Sequence, residues 1–152
     1  MKNNKRGISA IVATVLIILI TVAAVTIIWA AIIPMINNQL DKGTVCLDAV
    51  SQVGIENQGY TCWNGTHVNI QISHGAKDFQ LAGVQVLISV EGDTTSTTVL
   101  STDQTLPGVN EEAVISVATT TMPEKVEIAP IVSVGNTQET CDVSASQVIQ
   151  AC

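Results

Sequence analysis

The order of apolar and polar positions divides the chain into two materials. From Ile8 to Ile36, 24 of 29 residues are apolar and none is charged. Past Gln39 the apolar positions alternate with polar ones. Val68, Ile70 and Ile72 alternate with Asn69, Gln71 and Ser73, and Val84, Val86, Ile88 and Val90 repeat the period, as do Ala113, Ile115 and Val117. Val126 and Ile128 flank Glu127, and Ile131 to Val134 makes a further short run. A long continuous run suits a helix in lipid, whereas a period of two suits strands with one buried face.

A hydrocarbon layer of ~30 Å needs roughly 20 helical residues to cross it. Ile8 to Ile33 reaches about 39 Å at ~1.5 Å per residue. Inside lipid the backbone must satisfy its own hydrogen bonds, so the segment is predicted to be helical despite its many Ile, Val and Thr residues. Pro34 is expected to kink or end the regular turns near Ile33, with Asn37 and Asn38 marking the return to water. Lys2, Lys5 and Arg6 precede the span, while Asp41 and Lys42 cancel after it. The positive-inside rule then places the N-terminus in the cytoplasm and the rest of the chain outside. A cleavable secretory signal has an apolar core of only ~7–15 residues, so an uncleaved signal anchor fits better. Ala10, Thr14, Thr21, Ala24 and Ala31 fall on one side of this helix. Small residues in a stripe permit close helix–helix approach, so these five are the expected packing face toward other copies.

The turn residues Asn57-Gln58-Gly59, Asn64-Gly65, His74-Gly75, Gly92-Asp93, Pro107-Gly108 and Gly135-Asn136 punctuate the second region. Short strands bounded in this way predict an antiparallel sandwich of about seven or eight strands, of immunoglobulin-like arrangement. The fold class expected is therefore α+β: a long N-terminal hydrophobic (transmembrane) helix followed by an all-β domain. The predicted divisions are a basic leader at 1–7, the helix at 8–36, a linker at 37–44 and the β-sandwich at 45–152. Asp93 to Gln104, crowded with Thr and Ser, reads as a solvated strand, or as an edge carrying O-linked sugars.

Lys5-Arg6-Gly7 abutting Ile8-Ser9-Ala10-Ile11-Val12-Ala13-Thr14-Val15-Leu16 resembles the class III leader of archaeal type IV pilins and archaellins. The resemblance implies cleavage between Gly7 and Ile8 by a membrane aspartic peptidase (the prepilin peptidase), with Lys5 and Arg6 as the basic residues it reads. An extended leader at the membrane face is accessible to such an enzyme. The resemblance also implies extraction from lipid by an assembly ATPase acting with a membrane platform protein, and polymerisation with other copies. Many archaeal relatives have Ser-Pro where this chain has Ser9-Ala10. The Glu that bacterial pilins carry at the fifth mature position is Val12 here.

Charge and cysteines refine this picture. The chain carries six Lys and Arg against thirteen Asp and Glu. Past residue 37 only three lysines face all thirteen carboxylates, a formal charge of −10. That lacks the basic footprint a nucleic-acid binder needs and favours a soluble outer surface. Cys46, Cys62, Cys141 and Cys152 all follow the span, as expected of disulfides in an oxidising compartment. Three pairings are possible, and Cys46–Cys62 with Cys141–Cys152 is the preferred expectation because it closes short loops. The spacing does not resemble a zinc site. Asn64-Gly65-Thr66 is an N-glycosylation sequon as well as a turn signal.

Candidate chemistry is sparse. His67 and His74 lie seven apart, an odd spacing that sends them to opposite faces of a strand. Glu111 and Glu112 are adjacent, which suits a solvated turn. No nucleophile elbow, phosphate loop or metal cluster is present in the sequence, so no catalytic, cofactor or metal site is expected. Three functions remain in view. The first is a surface-filament subunit, either pilus-like or archaellum-like, and the second a single-pass anchored β domain that binds a ligand or surface component without polymerising. The third is a stationary part of the filament machinery gripping the surface layer.

Overall fold

The computed structural model describes residues 6–57 and 59–152, without the side chains of residues 6–9. The chain divides into two compact units, residues 1–40 and 41–152. One helix, α1 (Arg6–Gln52), begins in the first and ends in the second. Among the described residues nine strands follow: β1 (Val53–Ile55), β2 (Cys62–Trp63), β3 (His67–His74), β4 (Leu81–Val90), β5 (Asp93–Leu100), β6 (Glu112–Ala118), β7 (Lys125–Val134), β8 (Thr137–Thr140) and β9 (Ala145–Val148). One long apolar helix followed by a β-rich domain is the α+β class expected.

In the first unit α1 is apolar all round. Every residue from Ala10 to Leu40 is exposed. Helix α1 is long and apolar enough to cross a membrane. It does not stop where expected, because Pro34 lies inside it and the presumed linker, 37–44, is helical. Proline removes one i→i−4 hydrogen bond, a local cost that flanking turns can absorb when the helix has a reason to continue.

The second unit supplies that reason. Lys42, Val45, Cys46, Ala49 and Val50 recur at helical spacing and are at least half-buried. Val45, Cys46, Ala49 and Val50 pack with Val132, Val134, Phe79 and Cys141 in a small core of their own. The last turns thus form an amphipathic helix on the β domain. The domain boundary falls between Leu40 and Asp41, rather than at a linker ending at residue 44. The Gly75 N–H donates to the Gln52 carbonyl at 2.9 Å, satisfying one of the orphan acceptors where α1 passes directly into β1.

The strands form two antiparallel sheets. In the first, β3 is central, with β1 and β2 along one edge and β6 along the other. In the second the order is β5-β4-β7, and β8 and β9 share the outer edge of β7. Val68, Ile70, Ile72, Ile115 and Val117 from the first sheet and Val84, Val86, Ile88, Val126 and Ile128 from the second meet in one core. These are the alternating positions visible in the sequence. Nine strands replace the seven or eight expected, the additions being very short.

Strand β7 corrects a second expectation. Its residues read as two runs because Pro130 interrupts them, yet they form one ten-residue strand. Proline cannot donate to a ladder, so it requires a position where no acceptor waits. β9 pairs with Lys125 to Ile128 and β8 with Ile131 to Val134. Pro130 stands at the junction, where its carbonyl still accepts from the Cys141 N–H at 2.9 Å.

Candidate functional site

At ~100° per residue, Ala10, Thr14, Thr21, Ala24 and Ala31 occupy about 100° of arc on α1. The threonine hydroxyls on α1 bond back to their own helix. Thr14 Oγ1 donates to the Ile11 carbonyl at 2.8 Å, Thr21 to Ile18 at 2.9 Å and Thr26 to Ala23 at 2.9 Å. With its hydroxyl satisfied, each threonine presents chiefly a methyl group and behaves as a small apolar residue. Ile17 and Ile28 fall within the same arc, so the small residues form a row interrupted by two large ones rather than a continuous seam. Trp29, late in the apolar run, is 66% exposed.

Of the positions expected to form a leader junction, Lys5 lies outside the described residues, and the backbone of Arg6, Gly7 and Ile8 is helical. The Gly7–Ile8 bond sits in the first turn of α1 rather than in extended chain. First-turn N–H groups have no intrahelical acceptor, so this is the turn that opens at least cost.

The cysteines pair differently from the preference stated above. Cys46 bonds to Cys141 and Cys62 to Cys152, with Cα separations of 5.2 and 5.1 Å. The reason lies in topology. Cys46 rides on α1 against the end of β8, far from β2 in the other sheet's order. The C-terminus returns alongside β2, where Ala151 bridges to Trp63 and the Cys152 N–H donates to the Trp63 carbonyl at 3.0 Å. Each bond spans 90 residues or more. In the chain-entropy model such a loop contributes about 4–5 kcal/mol, more than a short loop would. Lys42 Nζ also reaches Glu139 Oε2 at 2.8 Å, and Lys77 pairs with Asp48, both on the helix–domain seam.

Asn64 lies on the exposed turn between β2 and β3. Its Oδ1 accepts from the Thr66 N–H at 3.1 Å, the Thr66 hydroxyl at 3.2 Å and the His67 N–H at 2.9 Å. Gly65 takes the left-handed conformation the turn needs, with φ 100°.

The titratable residues do not converge. His67 is exposed beside Thr66, whereas His74 is 3% exposed at the far end of β3. The His74 ring lies tilted at 42° against that of Phe79, centroids 4.4 Å apart, with Nδ1 3.3 Å from the Pro107 carbonyl and Nε2 3.1 Å from that of Lys77. Glu111 accepts from the Gly108 N–H at 3.1 Å and braces a loop, whereas Glu112 opens β6 rather than lying in a turn and accepts from the Gln71 side chain of β3 at 2.6 Å. Among the described residues, no group of three His, Cys, Asp or Glu side chains is placed to hold a metal. An open cleft of about 680 Å³, lined by Thr95, Thr97, Thr119, Thr120, Ile88 and Val90, lies between β5 and the end of β6.

Sequence reasoning missed the docking of residues 42–52. The signal was there: Val45, Cys46, Ala49, Val50 and Val53 follow the 3–4 spacing of a helix face. Comparison with protein-family models, with curated proteins and with solved structures gave no match.

Proposed function

We propose that this chain is a structural subunit of an extracellular filament of the archaeal type IV pilus or archaellum kind. The observation that carries the reading is the run from Ala10 to Leu40, exposed at every position in a helix that continues into the β domain's own packing. So large an apolar surface requires cover. Lipid covers it before assembly, with Lys5 and Arg6 on the cytoplasmic side and the β domain outside. Neighbouring copies cover it afterwards, exchanging lipid contacts for helix contacts along the stripe from Ala10 to Ala31. Removal of the leader between Gly7 and Ile8 by a prepilin peptidase licenses extraction by an assembly ATPase and its membrane platform protein.

In this reading the acidic β domain is the outer sheath. Its immunoglobulin-like character belongs to the proposal and is supported by two antiparallel sheets around one core. Asn64 on its turn is the glycan acceptor. The seam suits a load-bearing subunit, since Cys46–Cys141 and Lys42–Glu139 fasten the last turns of α1 to the domain that would feel an external pull.

Mass spectrometry of the protein from its native membrane or surface fraction tests the proposal. A mature chain beginning at Ile8, and an uncleaved one in a Gly7→Leu variant, is the expected result. A wild-type chain that retains residues 1–7 overturns the assignment and leaves a membrane-anchored surface domain.

A further inference from the structure

The two outer strands that face each other across the threonine-lined cleft end their sheets differently. On β6, the Ser116 N–H donates to Gln104 Oε1 and the Ser116 carbonyl accepts from Gln104 Nε2, both at 2.8 Å. One side-chain amide thus does there what a neighbouring strand would do. Strand β5 has no such cover. Residues 93–98 are exposed, and the register against β4 runs without a bulge. Thr94 to Thr102 contains neither a charge nor a proline. Edge strands are ordinarily defended by lysines, prolines or bulges.

The backbone shows which groups are open. Glu91 and Gly92 form a two-residue turn with φ 49° and 86°, so Val90 and Asp93 exchange the closing hydrogen bonds. Alternation along an antiparallel ladder then assigns Thr95, Thr97 and Val99 to β4. The N–H and C=O groups of Thr94, Ser96 and Thr98 point away from it, and none is engaged among the described residues.

We propose that β5 is the pairing edge for a second copy of this chain, joined antiparallel about a two-fold axis at Ser96. The segment Thr94-Thr95-Ser96-Thr97-Thr98 reads identically in both directions. In this register Thr94 meets the partner copy's position 98, and Ser96 meets its own counterpart. All six outward groups of each copy are then used, while a shift of one residue in the axis leaves some of them idle. Threonine pairs across strands are favourable, and no charges oppose one another. A neutral window also suits self-association here, because it is where two domains of formal charge −10 can approach with least repulsion. Such a contact closes on itself and does not propagate. It therefore goes beyond the filament proposal and stands without it; between filaments it would be a lateral join.

The register gives a specific test. Thr95 faces position 97 of the partner copy as a non-bonded pair, so a Thr95→Cys chain and a Thr97→Cys chain should cross-link to each other rather than each to itself. All four native cysteines are already paired, so the new thiol is the only free one. The two full-length variants are mixed in detergent micelles and mildly oxidised, with exposed Val148→Cys as the control. The heterodimer should exceed either homodimer on the order of tenfold, since only the facing pair has disulfide geometry. Adding Ser96→Pro to either partner should abolish it. That proline removes an outward N–H and leaves the β4–β5 ladder intact, which far-UV circular dichroism verifies. Cross-linking no faster than the Val148→Cys control, homodimers in equal or greater yield, or a heterodimer indifferent to Ser96→Pro would each overturn the proposal.

Discussion

Isoleucine and valine dominate both units, with opposite consequences. In residues 10–40 they surround the helix, and none is covered by the chain itself. In the β domain Ile70, Ile72, Ile115 and Ile128 occupy alternate positions and are fully buried. The second arrangement completes itself, because each strand's apolar face finds another strand's. The first is incomplete by construction, and its stability is set by whatever surrounds it. The same side chains are thus a core in one place and an interface in the other; only the period of the pattern differs.

Charge in the helix should break this comparison most severely. Ile18→Asp with Val22→Asp should abolish membrane association at a combined cost of roughly 5–7 kcal/mol on insertion scales. Flotation of the refolded, oxidised protein with liposomes reads that loss, and the two native disulfides check that the β domain is intact. The reverse perturbation belongs to the core. Ile128→Ala should lower unfolding stability by ~2–5 kcal/mol in denaturant titrations and leave membrane partitioning unchanged. If either variant disturbs both properties, the two units are not energetically separate. The seam should respond least: Lys42→Ala removes a partly exposed ion pair to Glu139, and a shift of about 0.2–1 kcal/mol in denaturant midpoint stability is expected.

Much of this was legible in the sequence. Strands β3, β4 and β6 stand where the alternation placed them, and the tract from Asp93 is a solvated edge strand. The remainder was hidden for identifiable reasons. Pro34 and Asn37-Asn38 look like the end of a helix, but the packing of Ala49 against Val132 holds the later turns. Pro130 looks like a break between strands, and only the positions of β8 and β9 show why it is tolerated. Disulfide partners depend on which chain ends the topology brings together, which cysteine spacing does not record. Processing of residues 1–7 would depend on another molecule, so nothing in this chain's own pattern decides it, and its test lies in the mass of the mature chain.

The interleaving of the two disulfides has one more consequence. Along the chain the order is Cys46, Cys62, Cys141, Cys152, with the first joined to the third and the second to the fourth. Cutting the backbone once anywhere between Cys46 and Cys152 therefore leaves at least one disulfide joining the two fragments. Paired as neighbours, the same cysteines would let a single nick between Cys62 and Cys141 release everything downstream. A surface exposed to foreign proteases would keep its covering after such a nick, because the strand that was cut stays moored at its far end.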